Sequence, residues 1–445
     1  MGRGRPAVLS GRMTRTRPAV LSGWMRRTRP TVPSGRMVRA RWLAAAGLGL
    51  ALLAAGCGSA SSRTAGPDAA GPASPAPFSL QTSIQAAGAT WATVPMGAAS
   101  GADLFWQLFV RPAGASQWSL QTPPDIATNG AIVLAAPELT ANGGTGATTL
   151  VAGVRPSLDL SFSPITLTSD LGKSWATRPP QSGLANVPDA LAAAPGASGG
   201  TGGSGGQLIA LSEDGAVSLA TGTGGSWRQL MTERALAASP AGRECGLTGL
   251  TAVAYSPGGT PLLAGTCGRD GRVGVFSETG GTWQLAGPAL TPSAGAPAPL
   301  GRQRVQVLRL SRAGGQDVAL LEVGAAPSLS LLAAWTGDGG AHWTLSPVLR
   351  TGGTAAISAS FGDEGMGVVL AGNRAETISG PGSSWRRLPT LPTGRTVTLA
   401  LPGTGSTEAL AADAGTLTAW QLAGNPGAWV KTQTIKVPIQ YGSSS

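Results

Sequence analysis

Ser169-Asp170-Leu171-Gly172-Lys173-Ser174-Trp175 is the stretch on which the reading of this chain turns. It fits the pattern S-x-D-x-G-x-x-W with one residue missing. Looser copies follow: Gly224-Gly225-Ser226-Trp227, Thr279-Gly280-Gly281-Thr282-Trp283, Asp338-Gly339-Gly340-Ala341-His342-Trp343, Gly382-Ser383-Ser384-Trp385 and Pro426-Gly427-Ala428-Trp429. A weaker copy, Gly114-Ala115-Ser116-Gln117-Trp118, precedes them. The tryptophans lie at 118, 175, 227, 283, 343, 385 and 429, with gaps of 57, 52, 56, 60, 42 and 44 residues. A period of this size marks a repeat architecture, and the propeller class fits it best.

The interior of each repeat reads as strands. In the third, the apolar run Gln207 to Leu211 meets an Asp214-Gly215 hairpin signal, Val217 to Ala220 returns, and Trp227 to Leu230 follows a Gly224-Gly225 turn. The fourth repeats this with Leu262 to Thr266, Asp270-Gly271, Val273 to Phe276, Gly280-Gly281 and Trp283 to Leu285. The seventh does so with Ala409 to Ala412, Asp413-Ala414-Gly415, Leu417 to Trp420 and Trp429-Val430. An upstream run completes each: Leu250 to Ala254, Val305 to Leu310, Thr396 to Leu401. Four strands per repeat make one blade. The expected fold is therefore all-β, a propeller of about seven four-stranded blades. The count is six, seven or eight according to how Trp91 and Trp118 are assigned. Ring closure is expected to put N- and C-terminal strands in one blade, with Val430 to Ile439 meeting Phe78 to Ile84 or Thr90 to Val94.

The turn has a mechanical logic. An Asp carboxylate accepts bonds from nearby backbone N–H groups, Gly supplies positive φ, and the following Trp packs its face between sheets. On these residues the chain resembles the Asp-box, or BNR-repeat, propellers, which include sialidases, sortilin-type receptor domains and plastid photosystem-assembly factors. The resemblance covers residues 79–440 and implies structural roles for Ser169, Asp170, Gly172 and Trp175, and for Asp338, Gly340 and Trp343. Only these two copies keep the Asp; the others keep Gly and Trp.

The formal charge of +11 is misleading about the body of the chain. Residues 1–41 carry eleven Arg and no acid, which leaves 21 Lys+Arg against 21 Asp+Glu in residues 57–445. A basic footprint for nucleic acid belongs on the folded domain, so no nucleic-acid partner is expected.

Residues 1–36 hold a short basic repeat, Arg5 to Gly11, Arg17 to Gly23 and Arg29 to Gly35, without helix or strand periodicity. They read as a disordered extension, or as upstream sequence with the start at Met37. From Met37 the pattern is that of a signal peptide spanning 37–56: Arg39 and Arg41, then the apolar run Trp42 to Ala55, too short for a mature membrane helix. It ends Leu53-Ala54-Ala55-Gly56-Cys57, which resembles the lipobox of bacterial lipoproteins. The resemblance implies cleavage before Cys57, acylation there (palmitate among the chains), and a stable anchor on the extracytoplasmic face of the cell membrane. Residues 57–78, mostly Gly, Ser, Ala and Pro, read as a tether; residues 441–445 are a tail. In an exported chain the remaining pair, Cys245 and Cys267, reads as a disulfide. They lie at the open ends of a hairpin turning at Pro257-Gly258-Gly259, hence on adjacent strands.

Catalytic chemistry finds little support. His342 is the only histidine, and it falls in a turn, so a solvated role is expected. A sialidase needs three Arg, a Tyr–Glu pair and an Asp acid. Only Tyr255 and Tyr441 are present, and Phe109-Val110-Arg111-Pro112 matches the family's F-R-I-P with its Arg displaced by one. Tyr255 reads as core or turn, and Arg111 as surface. Asp214, Asp270, Asp338 and Asp413 have turn roles that suffice. The glycine-rich Ser198 to Gly206 has no Lys and no helix signal after it, so it reads as a loop between blades. Arg302, Arg304, Arg309 and Arg312 form a basic cluster that reads as a solvated strand edge, with contact to an anionic lipid or glycan as the alternative, and Trp106, Trp335 and Trp420 read as core with a stacking surface as the alternative. No metal and no cofactor is expected. The expectation is a membrane-anchored, extracytoplasmic, non-enzymatic protein-binding or scaffold module, with an envelope protein or glycan as partner. The alternative is a glycan-binding or sialidase-like hydrolytic protein.

Overall fold

The computed structural model describes residues 80–438, less 81, 87, 98–104, 125–130, 137–148, 155–163, 178–186, 196–206, 221–225, 292–297, 314, 363–364, 392–396, 403–405 and 425–426. Cys57, the leader and tether, Tyr441 and the loop Ser198 to Gly206 therefore lie outside the described residues.

Among the described residues the strands fall into seven consecutive four-stranded antiparallel units, spanning 83–120, 132–177, 188–232, 247–285, 305–345, 356–387 and 397–436. Strand order within each unit follows the chain, as hairpin-connected strands require. Five units are separate sheets. Units four and five join in one nine-stranded sheet, because the strand Pro261–Cys267 of unit four also pairs with unit five at Thr266↔Gln306 and Cys267↔Val305. The hairpin turns fall where the Asp-Gly signals placed them. At Asp214-Gly215 the carboxylate accepts the Ala216 N–H at 3.1 Å and Gly215 has φ 74°.

Burial explains how the units stand together. Strand side chains alternate between faces, so each sheet feeds two neighbours. In unit five, Val318 and Leu320 pack toward unit six while Ala319, Leu321 and Val323 pack toward unit four. Seven apolar clusters result, one at each junction of successive units. One of them joins Ala92, Val94 and Phe109 of unit one to Leu410, Leu417 and Ala419 of unit seven. The series of units therefore closes on itself, which is the arrangement of a β-propeller. Each fully buried Leu or Val in these clusters contributes about 1.5–3 kcal/mol relative to exposure.

Closure differs from the expectation in its means. The strands Ser83–Ala86 and Ala89–Met96 belong to unit one, and Ala428–Lys436 to unit seven; among the described residues no strand is exchanged. Both end units are already complete in four strands, so side chains and a single backbone bridge, Gly97↔Ala414, make the join. The Thr398 hydroxyl of unit seven donates to the Thr93 carbonyl at 2.9 Å, and across the ring the Ser360 hydroxyl of unit six accepts the Ser83 N–H at 2.8 Å.

Two short helices, Glu233–Ala238 and Pro240–Cys245, interrupt the all-β plan between units three and four. The Thr232 hydroxyl caps the first and the Ser239 hydroxyl the second, ahead of Pro240, and Gly246 ends the second at φ 65°. These helices correct the expected disulfide geometry. Cys245 ends a helix rather than a strand, and it bonds to Cys267 on the strand Pro261–Cys267 with Cα atoms 5.0 Å apart. Both cysteines are fully buried.

Candidate functional site

The two Asp-bearing turns are the same device built twice. In unit two, the Thr168 hydroxyl donates to Asp170 at 2.9 Å and accepts the Gly172 N–H at 2.8 Å. Asp170 accepts the Ser174 N–H at 2.9 Å and the Ser174 hydroxyl at 2.5 Å. In unit five, Thr336, Asp338, Gly340 and His342 make the corresponding bonds at 2.8, 3.0 and 2.9 Å, and the His342 ring Nδ1 lies 2.6 Å from Asp338. The hydroxyl of the unit-two turn is thus that of Thr168, which is buried, and not that of the exposed Ser169. Thr168-Ser169-Asp170-Leu171-Gly172-Lys173-Ser174-Trp175 matches the full spacing with nothing missing, as does Thr336 to Trp343. The Ser174 hydroxyl and N–H hold the Asp170 carboxyl at about 2, below its usual 3.8. The N–H and ring of His342 hold Asp338 well below the usual carboxylate range.

These turns lean on the preceding unit. A Cβ on Gly172 would lie 2.7 Å from Gln121, and one on Gly340 would lie 2.8 Å from Ala286, so both positions exclude larger residues in addition to having positive φ. Each pattern tryptophan packs in the cluster between its own unit and the one before it, from Trp175 through Trp227, Trp283, Trp343 and Trp385 to Trp429. Three indoles also donate backward to carbonyls: Trp343 to Ala286 at 2.7 Å, Trp385 to Pro347 at 2.9 Å and Trp429 to Pro389 at 3.0 Å.

Trp118 does the same work at the seam between units seven and one. Its indole donates to the Glu408 carboxylate at 2.7 Å, and its backbone exchanges two bonds with the Gln433 amide. Arg111 pairs with the other oxygen of Glu408. Arg111 is therefore no surface residue: its side chain is 14% exposed and Glu408 is 1% exposed, because the guanidinium neutralises a carboxylate enclosed by the seam.

The seam between units four and five is different. It holds an open, polar cleft of about 470 Å³. Thr248 and Thr251 contribute from the strand Leu247–Tyr255, Gln306 from Val305–Ala313, and Glu322 from Gln316–Val323, where it sits beside Gln306. Gln303 and Arg304 lead into the unit-five strand. The pairing of Leu247–Tyr255 with Pro261–Cys267 slips twice, between Leu247 and Gly249 and between Leu250 and Ala252. Such bulges re-aim side chains and are frequent beside binding sites. The Arg304 guanidinium donates to the Thr248 hydroxyl at 3.3 Å. Glu322 is half-buried, has no hydrogen-bond or ion-pair partner among the described residues, and its carboxyl is pushed up by burial. The Gln303 side-chain oxygen is buried and likewise unpartnered.

Other expected residues disperse. His342 has a 91% exposed side chain and serves its turn. Tyr255 is 2% exposed in the core, where burial pushes its hydroxyl up. Arg302 and Arg304 precede the strand Val305–Ala313 and are both exposed; only Arg309 and Arg312 lie on that strand, which is the first of unit five and lies between neighbouring first strands. Arg302 is exposed, Arg304 lines the cleft, and Arg312 stands opposite Asp317. The Arg309 guanidinium points inward, donates to Ser311 at 2.6 Å, and is lowered to about 10 by desolvation. Trp335 is 1% exposed, and Trp106 and Trp420 pack against core clusters. Among the described residues no three His, Cys, Asp or Glu side chains gather as a metal site. The cleft itself was not foreseen; Glu322 stands in an apolar strand, and that isolated charge was its sequence signal.

No family model matches this chain, and no curated protein matches it. Solved structures with partial likeness include YCF48 from Cyanidioschyzon merolae, at 13% identity and a TM-score of 0.44, covering 75% of this chain and 93% of that one. A Lactobacillus plantarum protein is 11% identical with a TM-score of 0.44, covering 78% and 96%. The fungal lectin of Aleuria aurantia, described as a six-bladed β-propeller with a fucose recognition mode, is 12% identical with a TM-score of 0.37, covering 72% and 100%. Likeness at this level assigns neither family nor ligand.

Proposed function

We propose that this chain is a lipid-anchored, extracytoplasmic, seven-bladed propeller of the Asp-box kind that binds a ligand without turning it over. The cleft between units four and five carries the reading. Its lining has threonine hydroxyls, carboxamides, one guanidinium and one carboxylate, and it has no nucleophile–base pair and no second carboxylate. Hydrolysis of a glycosidic bond asks for two carboxylates flanking the bond. A preformed polar cleft on a rigid ring of sheets suits recognition. The run Leu53-Ala54-Ala55-Gly56-Cys57 supports the anchor at Cys57, and the neutral body supports an envelope protein or glycan over nucleic acid as partner.

The test is in-cell cross-linking of the intact chain, followed by purification and mass spectrometry, alongside fractionation of Cys57→Ala. The expected result is retention in the membrane fraction, loss of that retention in the variant, and a stoichiometric envelope partner. Soluble wild-type chain overturns the anchor. Release of reducing sugar from envelope polysaccharide overturns the non-enzymatic reading.

A further inference from the structure

The charges of the cleft between units four and five point to the class of ligand it takes; this step rests on the cleft being a binding site. Glu322 and Arg304 share the cleft, yet they form no ion pair with each other or with any other described residue. Arg111 pairs with Glu408 and Arg374 with Glu376, whereas Glu322, itself half-buried, has no such partner among the described residues, and the exposed Arg304 lines the same cleft. The desolvation that half-burial costs Glu322 is offset by a cationic donor.

An anion alone would meet Arg304 and be opposed by Glu322. A cation alone would meet the reverse. A neutral sugar offers hydroxyls to Glu322, but no aromatic side chain lines the cleft to receive the face of a sugar ring, and Arg304 would gain no charged partner. We propose that the cleft binds a small zwitterion, of which free amino acids are the simplest members. The ammonium lies against Glu322, and the carboxylate against Arg304. Gln306, Thr248 and Thr251 take the remaining polar atoms. A volume of about 470 Å³ accommodates an amino acid with accompanying water.

Isothermal titration calorimetry on the intact chain tests this, with glycine, L-alanine, L-glutamate and L-lysine as probes. N-acetyl-L-alanine lacks the ammonium, L-alanine amide lacks the carboxylate, and glucose is the neutral comparison. At least one amino acid is expected to bind, and blocking either end is expected to weaken it about tenfold or more. Glu322→Gln should abolish the preference for a free ammonium, and Arg304→Gln the preference for a free carboxylate. These are comparisons within one protein, so a general loss of folding cannot mimic them. Equal binding of blocked and free alanine overturns the proposal, as does binding of glucose alone or of nothing in the panel. A cross-linked envelope partner with no amino-acid binding would overturn this inference and leave the broader reading standing.

Discussion

Two seams of the ring contain the same chemical types and use them in opposite ways. Between units seven and one, Arg111 and Glu408 close on each other and Trp118 donates to the same carboxylate. Between units four and five, Arg304 and Glu322 stand apart across an open volume. At the first seam the charge pair adds to the apolar packing and to the Gly97↔Ala414 bridge. The second has backbone pairing at Thr266↔Gln306 and Cys267↔Val305, and its charged side chains do not pair across it.

The largest expected effect breaks the first seam. Glu408→Ala leaves the Arg111 guanidinium enclosed without a partner and the Trp118 indole without an acceptor. It should cost about 3–5 kcal/mol in urea unfolding of the intact chain, whereas Glu322→Ala should stay within about 0.5 kcal/mol. Equal losses at the two sites would dissolve the contrast. Next comes the disulfide, which packs in the cluster between units three and four and whose cysteines are 22 residues apart. Replacing Cys245 and Cys267 together by Ser should lower stability by about 3 kcal/mol, and reductant should destabilise the wild type but not the double variant. Insensitivity of the wild type to reductant under partly denaturing conditions would show that unit four is held by packing alone.

The smallest effect lies in the Asp turns, which belong to neither seam's charge chemistry. The Asp170 carboxyl is depressed in the folded chain to about 2. A depressed carboxyl lends its stability above its unfolded value near 3.8, and that stability fades as pH falls through about 2. An NMR titration should therefore place the Asp170 midpoint well below that of an exposed aspartate, and Ser174→Ala should move it upward. A midpoint near 3.8 would mean that the turn is held by Thr168 alone.

How much was readable in advance follows from the range of each interaction. The turn at 168–175 binds only within itself, so its Asp, Gly and Trp announced it. Ser169 and Thr168 are adjacent hydroxyls, and only the bonds to Gly172 and Asp170 show which one acts. The two helices carried ordinary signals in Thr232 and in Ser239-Pro240, hidden by the strand rhythm around them. Trp118 was read as the weakest copy of the pattern, yet it packs in its seam as the other six do in theirs.

The sequence alone determined the repeat, the four strands of each unit and the turns that join them. These depend on contacts a few residues apart, and alternation and glycine placement write such contacts into the chain. It also carried the cysteine pair and the Leu53-Ala54-Ala55-Gly56-Cys57 run, which are short words. Only the tertiary structure decided which charges meet. Arg111 and Glu408 are 297 residues apart, and Thr248 and Glu322 come from different units, so no local pattern relates them. The ring brings some opposite charges into contact and holds others apart, because the path of the backbone at each seam fixes how closely side chains approach.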